Sequence, residues 1–191
     1  MNFSKEYKRK EVVPLPSDSE IRPIIGKNYD PKRALNVLKM FAGINDKDMY
    51  KAIINLIDAI FSTSGIDPRS REIIILRAAK ILNVPYEWQA NEKMAQNVGL
   101  SKEEIVALTK KEVSGIKKEY ILLSKATDEL SLKADFSDKI LKNLKKYFGN
   151  SQTRKIIFLI SWFNLLSRFL NGCRVPLEKT NKIGNGTSPL N

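Results

Sequence analysis

The sequence predicts an all-α protein, and three observations carry that reading. Helix start and stop residues recur from residue 30 onward, and apolar side chains repeat at helical spacing between them. Nowhere does an alternating strand run appear, nor a hairpin dipeptide between two such runs.

Asp30-Pro31 offers an N-cap with proline at the first helical position, and Gly43 ends that segment. A second helix is expected from about Asp46 to Ser64, with Ile53, Ile54, Leu56, Ile57, Ile60 and Phe61 on its apolar face and Gly65 closing it. Asp67-Pro68 repeats the start signal for a helix running to about Leu82. Pro85 disfavours helical backbone at Val84 and opens the next helix, which carries Tyr86-Glu87-Trp88 in its first turn and stops at Gly99. Ser101-x-x-Glu104 forms a capping box for a short helix through about Lys110. Further helices fit Gly115 to Leu130, Ser137 to Phe148 and Gln152 to Asn171. One domain over residues 30–178 accounts for these elements, with residues 1–29 as an N-terminal arm and 179–191 as a flexible tail.

A net charge of +12, from 33 Lys+Arg against 21 Asp+Glu, raises the question of nucleic acid. The lysines are scattered and often sit beside acids, and no zinc-finger, homeodomain or RNP-type pattern occurs, so no nucleic-acid function is expected. A solvated basic surface that draws in a small anionic molecule fits better. The single cysteine, Cys173, has no internal partner, which points to a reducing cytoplasm. The run Ile156 to Leu170 is shorter than a membrane span and contains Asn164 and Arg168, so it reads as a buried or interface helix and no membrane is expected. Asn164 and Arg168 together form a polar notch, to be satisfied across a subunit contact or in a pocket wall. With no histidine and one cysteine, no metal site is expected, and no cofactor.

Two acids stand in apolar surroundings: Glu72 before Ile73-Ile74-Ile75, and Glu87 between Tyr86 and Trp88. Each lies near a helix start, where a carboxylate favours the dipole for purely structural reasons. The alternative is a reaction centre, since a glutamate against Trp88 would have a raised pKa and exchange protons near pH 7. The two helices should pack as a hairpin, with Glu72 level with Asn91 and Glu87 reaching them only at a tilted crossing. In this reading Tyr86 and Trp88 are pocket walls, or else core aromatics. Asn91 orients a substrate by donating hydrogen bonds, and Arg77 binds an anionic group or pairs with a neighbouring acid.

The run REIIILRAAKILNVPYEWQANEKMAQNVGLSKEEIVAL from Arg71 resembles the core of the carboxymuconolactone decarboxylase/alkylhydroperoxidase D-like family, in its Tyr-Glu-Trp subgroup lacking a Cys-x-x-Cys pair. KIIFLISWFNLLSRFLNGCRVPLE from Lys155 is similar to that subgroup's last helix and the Val-Pro-Leu segment after it, and Asp128-Glu129-Leu130 fits a further shared stretch. The resemblance spans roughly residues 25–178 and implies an alkylhydroperoxidase D-like helical bundle assembling as a homo-oligomer, a trimer or a hexamer. The family's peroxidase branch uses a Glu, a Cys-x-x-Cys pair and a downstream His. With Glu72 as that Glu, its thiols fall on Val84 and Glu87 and its histidine on Asn91, so a dithiol cycle is impossible here. The Tyr-Glu-Trp subgroup usually keeps the histidine, and this chain departs from it at Asn91. What the resemblance implies is a lyase-type, decarboxylase- or lactone-handling activity on a small carboxylated molecule by proton transfer, with Glu72 as acid/base and Glu87 assisting. The alternatives are a non-catalytic scaffold that binds a ligand or protein, and a residual peroxidase activity.

Overall fold

The structure, a computed structural model, describes residues 13–190 apart from 28 and 64. Residues 1–12 of the expected arm, Ser64 and Asn191 lie outside the described residues. Among the described residues there are eight α-helices and no strand.

Inside the expected arm, Ser17 and Glu20 form a capping box that opens α1 (Asp18–Ile25), and Ile21 on that helix is fully buried with Tyr29 and Ala42. Asp30 does not start a helix. Its carboxylate caps a turn through the Lys32 N–H at 2.9 Å, and α2 (Asn36–Ala42) begins only after Leu35. A short polar side chain can close a turn as readily as a helix, which is why the Asp-Pro signal misleads there. α3 (Lys47–Asp58) passes into a π-helical turn, Ala59–Thr63, that brings Phe61 toward the centre.

α4 (Pro68–Ile81) starts where Asp67 accepts from the Ser70 N–H at 2.8 Å. Every residue from Arg71 to Ala79 is buried, because α5 (Pro85–Asn97), α7 (Lys118–Lys133) and α8 (Asp138–Cys173) all pack against this helix. The α4–α5 turn is a Schellman closure. The Asn83 N–H reaches the Lys80 carbonyl at 3.3 Å, and that of Val84 reaches Ala79 at 2.8 Å, with Asn83 in the left-handed region at φ 54°. Pro85 then supplies the first residue of α5.

α6 (Lys102–Ala107) carries the Ser101/Glu104 box, as its spacing predicts. The two expected C-terminal helices form α8, interrupted at Gly149, whose φ of 74° and ψ of 173° take the backbone out of helical geometry in a way glycine tolerates best. By length and composition alone α8 is apolar enough to cross a membrane; in this fold Ile156, Leu159, Ile160 and Phe163 are buried in the core.

Residues 179–190, expected as a tail, lie packed on the bundle. The Asn97 side chain donates to the carbonyls of Gly184 at 3.0 Å and Gly186 at 2.7 Å, Arg71 donates to that of Thr187, and Ser188 is buried. Just before them, Glu178 accepts from the Asn36 N–H and the Tyr86 hydroxyl, both at 2.5 Å, and pairs with Lys182 at 2.8 Å. Glu178 thereby supplies the cap that Leu35 cannot give α2.

Candidate active site

α4 and α5 carry the two acids, and neither is a helix-start ornament. Glu72 stands beyond the first turn of α4 and is fully buried. Its Oε1 accepts from Arg71 Nε at 3.0 Å, while Oε2 is buried without a partner. Arg71, itself buried, also donates to the Phe61 carbonyl at 3.2 Å and the Thr187 carbonyl at 3.0 Å, and lies 4.3 Å from the Phe61 ring centre. One guanidinium thus joins an acid, the π-turn and the C-terminal segment.

Glu87 does sit in the first turn of α5, but its carboxyl turns to α8 rather than to its own backbone. Oε2 accepts from Ser167 Oγ at 2.5 Å and Oε1 is buried without a partner. Among the described residues no cation pairs with it.

Burial dominates the proton affinity of both acids, because a carboxylate removed from water loses its solvation. It pushes Glu72 up to about 7, against the opposing charge and hydrogen bond of Arg71. It pushes Glu87 up to about 8, with the Ser167 hydrogen bond opposing and the Glu72 charge adding. Two acids this close titrate as a pair, and a charge on Glu72 makes Glu87 harder to ionise.

Glu87 and Asn91 are the carboxyl and amide on the wall of a cavity of about 40 Å³. Val37, Leu38 and Phe41 of α2, Tyr86 and Met94 of α5, Trp162 and Phe163 of α8, Phe61 and Pro189 make most of the rest, so the surroundings are apolar. The Tyr86 ring is a wall, but its hydroxyl is spent on Glu178 and on the Val37 N–H. Asn91 is not the donor expected of it. Its Nδ2 gives its hydrogen bond to the Glu87 backbone carbonyl at 2.8 Å, one turn back, which leaves Oδ1 buried without a partner.

Several expectations need correcting. Glu72 does not line the cavity and is not bonded to Asn91; Glu87 is the acid that faces it. Trp88 is buried but is not a cavity wall. Of the two readings of Arg77, pairing with an acid is the one found, and no ligand can use it: Asp128 takes its Nε and Nη2 at 2.6 Å each, and the carbonyls of Leu108, Lys110 and Lys111 take the remaining N–H groups. Asn164 is satisfied within the chain by Ser131 Oγ at 2.9 Å, with Arg168 bonded back to Asn164, so the notch needs no subunit contact. Ser167, Arg71 and Pro189 were not anticipated. A hydroxyl one helical turn after Phe163, inside an apolar run, is the signal that would have picked out Ser167, although Ser161 in the same run gives it too.

Residues 47–114 match the family model described as "Carboxymuconolactone decarboxylase family". No curated protein and no solved structure matches the chain. The matched segment holds both acids and Asn91, whereas Ser167, which bonds Glu87, and Trp162 and Phe163 of the cavity wall lie outside it.

Proposed function

We propose that this carboxymuconolactone decarboxylase-like domain transfers a proton to or from a small lactone-type molecule at the Glu87 cavity, without thiol redox chemistry. One observation carries the reading: Glu87 lines a cavity as a fully buried carboxyl with no ion pair among the described residues, one oxygen held by Ser167 and the other without a partner. With its pKa pushed up to about 8, Glu87 is mostly protonated at neutral pH and serves as general acid. Its proton passes to an enolate carbon or alkoxide oxygen developing on the substrate. The carboxylate left behind is stabilised by the Ser167 O–H, and reprotonation restores the acid. Glu72 and Arg71 sit behind it as positioning groups, setting the charge that Glu87 feels. Pro189, on a segment held largely through backbone carbonyls, is the part of the wall best placed to move and admit a larger ligand.

The thiol alternative finds little support, since Cys173 is solitary and burial pushes its thiol up, away from the reactive thiolate. Self-association through the exposed Phe158 and Leu165 of α8 belongs to the same reading and is checked by a light-scattering mass.

Infrared difference titration of the protonated Glu87 carboxyl, with Glu87→Gln as the blank, tests the proposal. Disappearance of the band near pH 8 is expected, together with turnover of small lactones that is lost in Glu87→Gln. Titration near 4.5, as in an ordinary glutamate, overturns it. Lactone binding without turnover leaves a binding role for the same cavity.

A further inference from the structure

Asn91 Oδ1 is the acceptor that this cavity offers a ligand, beside a Glu87 carboxyl that is protonated at neutral pH and, with Oε2 bonded by Ser167, carries its proton at Oε1. Asn91 and Glu87 both line it, 5% and 1% exposed, and each has one oxygen without a partner, Oδ1 and Oε1. Their other polar atoms are committed: Asn91 Nδ2 to the Glu87 carbonyl, Glu87 Oε2 to Ser167, and the Tyr86 hydroxyl to Glu178. Arg71, the cation paired with Glu72, is not in the wall and is engaged by that acid and two carbonyls. Buried oxygens without donors are costly, and a ligand that supplies the donor recovers that cost. A carboxylate has no donor for Asn91 Oδ1, and its charge would be desolvated with no cation in the wall to pair it.

We propose that the cavity selects a neutral, mainly apolar molecule, in the proton-transfer reading a lactone that bears a hydroxyl, by its alcohol or enol O–H, with Asn91 Oδ1 as the fixed acceptor and the Glu87 carboxyl as its neighbour. This replaces the small anionic molecule expected from the surface charge. The inference uses the cavity of the proton-transfer reading and rests on that reading for any chemistry after binding. A hydroxyl on Asn91 Oδ1 places the ligand beside the acid, so Asn91 is a binding and specificity residue rather than an acid/base.

Three probes of similar size separate the possibilities on the full chain: 2,2,2-trifluoroethanol, its methyl ether and trifluoroacetate, each followed by fluorine NMR line broadening. Both the ether and the anion lack a donor. The expected result is binding of the alcohol about tenfold or more tighter than the ether, with no saturable binding of trifluoroacetate. Asn91→Leu should bring the alcohol down to the affinity of the ether and leave the ether unchanged. Glu87→Gln, which keeps Asn91 intact, should retain alcohol preference. The proposal is overturned if the ether or trifluoroacetate binds as well as the alcohol, if Asn91→Leu leaves alcohol binding unchanged, or if no probe binds. Failure here, with the Glu87 carboxyl still titrating near pH 8, removes the ligand class and leaves the acid reading in place. An ordinary Glu87 titration removes the acid reading whichever probe binds.

Discussion

Replacing Glu87 by glutamine should change how stability depends on pH more than it changes stability itself. The folded protein holds the Glu87 proton to about 8, whereas the unfolded chain releases it near 4.5. A carboxyl whose folded pKa is raised favours the native state fully below the unfolded value, and that contribution is lost as pH climbs through the folded one. At about 1.4 kcal/mol for each tenfold in proton affinity, the span from 4.5 to about 8 corresponds to roughly 5 kcal/mol. Glutamine has nearly the same shape, keeps an acceptor for Ser167 and cannot ionise. The gap in unfolding free energy between Glu87→Gln and wild type should therefore be flat below pH 4.5 and widen in the variant's favour until about pH 8. Urea unfolding at half-unit steps from pH 4 to pH 9 measures it, and at this chain length the full gap corresponds to roughly 10–20 °C in Tm. Glu72 and the surface acids titrate in both proteins and cancel to first order. Two parallel curves would refute the argument, because they would mean that the Glu87 carboxyl ionises equally easily folded and unfolded.

Ser167→Ala removes the hydrogen bond that opposes the upward push on Glu87, so the Glu87 titration should move to higher pH, with a stability loss of about 1 kcal/mol; an unmoved infrared titration would count against the bond. Arg77→Met strands Asp128 and three carbonyls and should cost about 3–5 kcal/mol in urea melts without touching probe binding in the cavity, a loss under about 1 kcal/mol being the adverse result. Deleting residues 183–191 keeps the Glu178–Lys182 pair but removes Pro189 from the wall and Thr187 from Arg71. Apolar-probe association measured by fluorine exchange broadening should accelerate, and an unchanged rate would show that the C-terminal segment does not gate entry.

Local interactions made parts of this fold legible. Asp67 capping Ser70, the Ser101/Glu104 box and the Asn83–Pro85 turn all close within a few residues, so residue type and spacing suffice to read them. Ser17/Glu20 has the same local logic and was equally readable, while Asp30 shows that a cap residue can serve a turn instead. The acids themselves stood out because a carboxyl among isoleucines or beside aromatics conflicts with burial unless something supports it. Their support comes from far away in sequence. Ser167 reaches Glu87 across 80 residues, and the Thr187 carbonyl reaches Arg71 across 116. The second contact uses a backbone oxygen, which every residue has, so no side-chain pattern announces it. Composition misled for the same reason: a polar, glycine-rich ending reads as a tail, yet its carbonyls are what Asn97 and Arg71 hold.

The resemblance to the peroxidase branch gains a physical meaning from position 87. A free thiol ionises near 8.5, and burial brings the Glu87 carboxyl to about 8, so a group of similar proton affinity occupies the place where the resemblance puts a thiol. Proton affinity is where the likeness stops. A carboxyl cannot form a disulfide, and Val84, where the other thiol would be, is a fully buried hydrocarbon. Thiol–disulfide exchange is thereby removed, whereas a group that can hold a proton near neutral pH remains. Restoring a cysteine at 87 alone would give a single thiol with no resolving partner in reach. Exchanging Glu87 for any residue that titrates far from neutrality should silence the site even if the cavity and Ser167 stay in place.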